Sequence, residues 1–101
     1  MNSTLYNKIE NIKKICPNYK IKSLYTFGSV LTENFDQKSD IDFIVSFQNI
    51  PLLEYGDNYF EFCNNLKNIL NKEVDVVVEK SIKNPFFKEE VNETKTLIYK
   101  T

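Results

Sequence analysis

Aspartate is a poor strand former, so a β-type segment that keeps one inside an apolar run needs a reason for it. This chain has two such segments. In Asp40-Ile41-Asp42-Phe43-Ile44-Val45-Ser46-Phe47, alternation sends Ile41, Phe43, Val45 and Phe47 to one face and Asp40, Asp42, Ile44 and Ser46 to the other. In Val74-Asp75-Val76-Val77-Val78, a single acid interrupts a run of valines. Three of the five aspartates thus lie where propensity opposes them. The polar half of any half-exposed strand carries acids, which is the plain structural reading. Their intrusion into aliphatic segments favours a functional one.

Around these segments the pattern alternates between helix and strand. Leu5, Ile9, Ile12 and Cys16 trace one face of a helix expected from Ser3, a suitable cap, to Cys16, where Pro17-Asn18 stops it. Ile21–Phe27 reads as a strand ended by Gly28, with a short helix from Ser29 to about Asn34. Gln48 to Gly56, with Pro51, is expected as a loop. Asp57 is expected to cap a helix to about Asn71, with Tyr59, Phe62, Cys63, Leu66, Ile69 and Leu70 as its apolar stripe. Glu73–Glu79 forms the next strand, and Asn84-Pro85 opens a helix to about Asn92. Thr94–Tyr99 fits either an extension of that helix or a short edge strand. The expected class is α/β (α+β): a small mixed sheet with helices packed against it, in one domain spanning residues 1–101.

All 13 basic residues are lysines, and the chain has neither arginine nor histidine. Histidine bases, Ser-His-Asp triads, histidine metal sites and a self-supplied arginine finger are therefore excluded. A net charge of -1 argues against nucleic acid as the main ligand, because a phosphate-backbone interface needs concentrated positive charge. Cys16 and Cys63 lie far apart with no CxxC pairing, and read as free thiols on helix faces. No apolar run approaches the roughly 18 residues of a membrane span, and no signal-like start is evident. A reducing, cytoplasmic setting is expected.

Residues two apart on a strand are about 6.6 Å apart and share a face, so Asp40 and Asp42 can converge on ions between them. If the Asp75 strand is adjacent, about 4.8 Å away, its carboxylate can join them. Such a trio repels itself unless cations bind, and oxygen-only ligation suits Mg²⁺ or Mn²⁺. Two such ions stabilise the attacking and leaving oxygens of an in-line displacement at phosphorus. Gly28-Ser29 stands before Asp40, with ten residues between them. There the glycine lets backbone approach a phosphate, and the serine amide and hydroxyl can donate to it.

Gly28-Ser29, the ten-residue spacer and Asp40-Ile41-Asp42 resemble the signature of the DNA polymerase beta nucleotidyltransferase superfamily. Within it, the chain resembles the minimal nucleotidyltransferases, the MNT antitoxins encoded beside HEPN-domain toxins. The similarity spans nearly the whole chain, including Ser39-Asp40-Ile41-Asp42 and Glu73-Val74-Asp75-Val76-Val77. It implies that Asp40, Asp42 and Asp75 ligate the metals, that Asp75 helps deprotonate the acceptor, and that Gly28, Ser29 and Ser39 bind the nucleotide triphosphate. It further implies transfer of AMP from ATP to a tyrosine hydroxyl of the HEPN partner, in a hetero-oligomer. One departure is plain: many relatives follow Gly-Ser with Ala-Arg-Gly, and here Thr32 and Glu33 replace the arginine and glycine. Lys38 or a basic residue from a partner would have to supply that charge, as a point charge and not a bidentate fork.

Two other functions compete with an adenylyltransferase. One is a catalytically weak or silent antitoxin that neutralises its partner by covering it, favoured by Thr32 and Glu33 and opposed by the three acids. The other is a regulatory subunit that binds Mg-ATP without turnover.

Overall fold

The computed structural model describes residues 3–28 and 40–101. Two short helices, α1 (Ser3–Tyr6) and α2 (Ile9–Ile15), lead through a 3₁₀ turn at Cys16–Tyr19 into β1 (Ile21–Phe27). β2 (Ile41–Phe47), α3 (Leu52–Leu70) and β3 (Val74–Val78) follow, then a 3₁₀ turn at Glu79–Ser81, α4 (Pro85–Thr94) and β4 (Thr96–Lys100). The sheet order is β3-β2-β1-β4. β1 runs antiparallel to β2 and β4, and β2 runs parallel to β3 with α3 as the crossover. This is the expected mixed sheet with helices packed on it.

The alternation along β2 dictates the layers. Ile41, Phe43 and Val45 join Leu24, Val76 and Ile98 beneath the amino-terminal helices and α3, which contribute Leu5, Ile12, Phe62 and Leu66. A smaller cluster of Phe27, Ile44 and Val91, flanked by Val77 and Ile82, lies apart from it, with Val91 contributed by α4. Asn84 starts α4 as expected, its side chain accepting from the amides of Phe86 and Phe87, with Pro85 in the first turn.

Two boundaries differ from expectation, and a third, left open by the sequence, is decided by the structure. The first helix is interrupted at Asn7-Lys8, yet Leu5, Ile12 and Cys16 are all buried. Helix α3 begins at Leu52, so the expected loop shrinks to residues 48–51 and Asp57 lies inside the helix instead of capping it. Gly56 costs that helix about 1 kcal/mol relative to alanine. Packing offsets it, since the rings of Tyr55 and Tyr59 lie 5.4 and 6.4 Å from that of Phe47. Residues 96–100 form the edge strand, not a helical extension, with Ile98 buried and Leu97 exposed. The helix expected from Ser29 to Asn34 lies outside the described residues, as does the side chain of Ser3. Among the described residues no helix is long and apolar enough to cross a membrane.

Phe62 is fully buried and meets the rings of Tyr19 and Phe47 at 5.7 and 6.4 Å. Phe62→Ala should cost about 3–5 kcal/mol in urea unfolding, a large share of the roughly 5–15 kcal/mol that holds a small domain together. A loss under 1 kcal/mol would mean that α3 does not anchor the core as described.

Candidate active site

Asp42 occupies the centre of the acid-bearing end of the sheet. In the strand register it lies opposite Phe27 of β1 on one side and Asp75 of β3 on the other. Adjacent register partners in a parallel pair project from the same face, so Asp42 and Asp75 share one. Asp40 stands immediately before β2, where the ladder begins with the Ile41 amide donating to the Glu73 carbonyl at 3.2 Å. The three acids predicted from the sequence are thus brought to one end of one face. Asp40 and Asp75 are exposed, and Asp42 is half-buried. Among the described residues, no three acidic or cysteine side chains converge closely enough to cage an ion as they stand.

The backbone around Asp42 is fixed from β1. The fully buried Thr26 hydroxyl donates to the Asp42 carbonyl at 2.8 Å. Gly28, at φ +82, presses bare backbone against the carboxylate: a Cβ there would stand 2.5 Å from Asp42 Oδ2. Both the left-handed conformation and the close approach require glycine. Ser29 and Ser39, the other predicted nucleotide-binding residues, and Lys38 lie outside the described residues.

Sequence reasoning missed three contributors. Thr26 reads as an ordinary β-branched strand residue, and nothing in the pattern marks its hydrogen bond. Tyr59 reads as part of the α3 stripe, yet its hydroxyl donates to the Val76 carbonyl at 2.6 Å and ties α3 to β3 beside Asp75. Burial, then Cys63 and Asp75, pushes its phenol up to about 12, which keeps the proton in place and removes Tyr59 as a base. Lys95, with Nζ 4.3 Å from the centre of the Tyr25 ring, places a cation over β1, which pairs with the β2 strand bearing Asp42.

The donor set fits a divalent cation. It offers only carboxylate oxygens, the ligands of hard ions, beside a glycine whose bare backbone lies against one of them. The Asp42 carboxyl is raised above its ordinary range, first by burial and then by the charges of Asp75 and Asp40. A carboxyl raised on folding opposes the fold while ionised, and that penalty is relieved as pH falls through the raised value towards the unfolded 3.8. Asp42→Asn should therefore resist urea better than the wild type at pH 7, with the difference shrinking towards pH 4. Equal stability at pH 7, or a gap that widens in acid, would contradict this electrostatic account.

Known proteins resemble this chain in sequence and in fold. Residues 10–101 match the family described as "Polymerase beta, Nucleotidyltransferase". Two Methanocaldococcus jannaschii proteins, each named "putative protein adenylyltransferase", are 40% and 38% identical over 81 residues, covering 80% of this chain and 78% of theirs. A solved "putative minimal nucleotidyltransferase" superposes with a TM-score of 0.77 at 25% identity, over 95% of both chains. The fold also matches a chain in the complex of a tri-AMPylated Shewanella oneidensis HEPN toxin with its MNT antitoxin. That match has a TM-score of 0.64 at 20% identity and covers 95% of this chain and 72% of that one. With the matched region reaching from α2 through β4 and holding Gly28, Asp40, Asp42 and Asp75, the chain belongs to the polymerase beta nucleotidyltransferase family.

Proposed function

We propose that the chain is a Mg²⁺-dependent protein adenylyltransferase that moves AMP from ATP to a tyrosine hydroxyl of a HEPN-domain toxin, and so acts as its antitoxin. The observation that carries this reading is the pairing of Asp42 with Asp75 across β2 and β3, beside Gly28. The relatives named protein adenylyltransferases and the fold shared with an MNT antitoxin in complex with a tri-AMPylated HEPN toxin support the substrate and partner.

In this reading Asp40, Asp42 and Asp75 hold the divalent cations, which supply charge stabilisation at the reacting phosphate. Gly28, with Ser29 and Ser39, positions the triphosphate. The acceptor oxygen bonds to the α-phosphorus, the bond to the bridging oxygen breaks, and pyrophosphate leaves with that electron pair. The acceptor proton passes to the Asp75 carboxylate, the exposed member of the β2–β3 acid pair. Tyr59 holds α3 to this strand and takes no proton. The free Cys16 and Cys63 accord with a cytoplasmic setting.

Incubated with the neighbouring gene's product and Mg-ATP, the protein should add AMP-sized increments to that partner by intact-mass spectrometry. Chelation of the metal should abolish them, and Asp42→Asn should slow them by at least about 10²-fold, the scale of losing a principal electrostatic stabiliser. Toxin neutralisation that persists without any mass increment, and survives Asp40→Ala with Asp42→Ala, would instead mean that the chain silences its partner by covering it.

A further inference from the structure

The opposite end of the sheet carries a second, chemically distinct site. Where β1 begins and β2 and β3 end, a cavity of about 290 Å³ opens between Lys22, Ser46, Asn49, Tyr55 and Lys80 and the half-buried Phe47. Its size falls near the low end of the roughly 300–1,000 Å³ usual for small-molecule pockets. Asp42 lies four residues along β2 from Ser46, about 13 Å away, so this cavity is separate from the acids.

Its chemistry is the reverse of theirs. The chain carries 14 acids against 13 lysines, yet the residues lining this cavity include two lysines and no acid. Neither Lys22 nor Lys80 is ion-paired with a described residue. Glu79, beside Lys80, accepts a hydrogen bond from the Ser46 hydroxyl at 2.8 Å. The Lys80 ammonium instead rests 5.8 Å from the centre of the Tyr55 ring. The Tyr55 ring in turn meets Phe47 edge-on at 5.4 Å and 70°, which holds it in place at the cavity wall. Two lysines outside any described ion pair, an amide side chain at Asn49 and a braced aromatic ring are complementary to a planar group bearing one phosphate, with Glu79 held to Ser46 at the cavity's edge.

We infer that the cavity between Lys22, Lys80 and Tyr55 binds a nucleoside monophosphate, the phosphate between the two ammoniums and the base against the Tyr55 ring. The site takes no part in phosphoryl transfer and needs no metal.

The test is a titration of the ¹⁵N-labelled full chain with AMP in EDTA, followed by amide shifts, with inorganic phosphate and adenosine as separate probes. AMP should move the amides of Ser46 to Ile50, Tyr55 and Lys80 saturably, and more tightly than phosphate or adenosine. Lys22→Glu with Lys80→Glu, both at exposed positions, should weaken AMP about tenfold, the scale of two solvent-facing ion pairs. Tyr55→Leu should weaken AMP while leaving phosphate unchanged, and the same spectra report whether each variant is folded. Absence of saturable shifts at these amides, binding unaffected by the lysine changes, or phosphate binding as tightly as AMP would each overturn the inference. Because no metal or partner is present, failure here is independent of whether the chain transfers AMP.

Discussion

The parallel register between β2 and β3 is the constraint on which the acid site depends. It sets Asp42 against Asp75 and, one step further, Phe43 against the buried Val76. A slip of one residue would turn Asp75 towards the helical layer and Val76 out of it, placing an uncompensated carboxylate against the core. Hydrophobic burial on one face therefore determines where the charges stand on the other. Helix α3 enforces the same register from above, through Phe62, Leu66 and Leu70 in the core and the Tyr59 hydrogen bond to Val76.

The outer face divides by chemistry along the strands. Its middle is apolar, with Ile44 and Val77 clustered with Val91 of α4. Phe87 from the same helix packs edge-on against Phe27 at 5.9 Å, next to the strand that bears Asp42. One end remains acidic and carries the raised Asp42 carboxyl, a local cost borne by the larger core beneath. The other end gathers Lys22 and Lys80 around its cavity. The acid site and the lysine-lined cavity thus lie at opposite ends of one four-stranded sheet, in a chain that is as a whole close to neutral.

Much of this was legible in the residues because it rests on period and exclusion. Two-residue alternation in Asp40–Phe47 assigned both faces of β2 correctly, and the lone acid among the valines of β3 marked Asp75 as out of place on propensity alone. Asn84-Pro85 announced α4 through cap chemistry that the structure reproduces. The start of α3 was hidden because Pro51 and Gly56 are both loop-like locally. The helical start at residues 52–56 carries a contact between Tyr55 and Phe47, a tertiary effect that no window along the chain contains. Thr26 and Lys95 are equally silent, since their contacts, with Asp42 and Tyr25, are to residues far away in sequence. Gly28 reads in the sequence as freedom for backbone to approach a phosphate, and its close approach to Asp42 emerges only from the structure.

The most direct test of the acid site is anomalous diffraction from crystals of the protein grown with Mn²⁺ and a non-hydrolysable ATP analogue. The account predicts manganese peaks on the open end of the outer face, with carboxylate oxygens of Asp40, Asp42 and Asp75 within about 2.1 Å of metal. Manganese bound elsewhere, or bound there with the Asp75 carboxylate turned away from every ion, would contradict it.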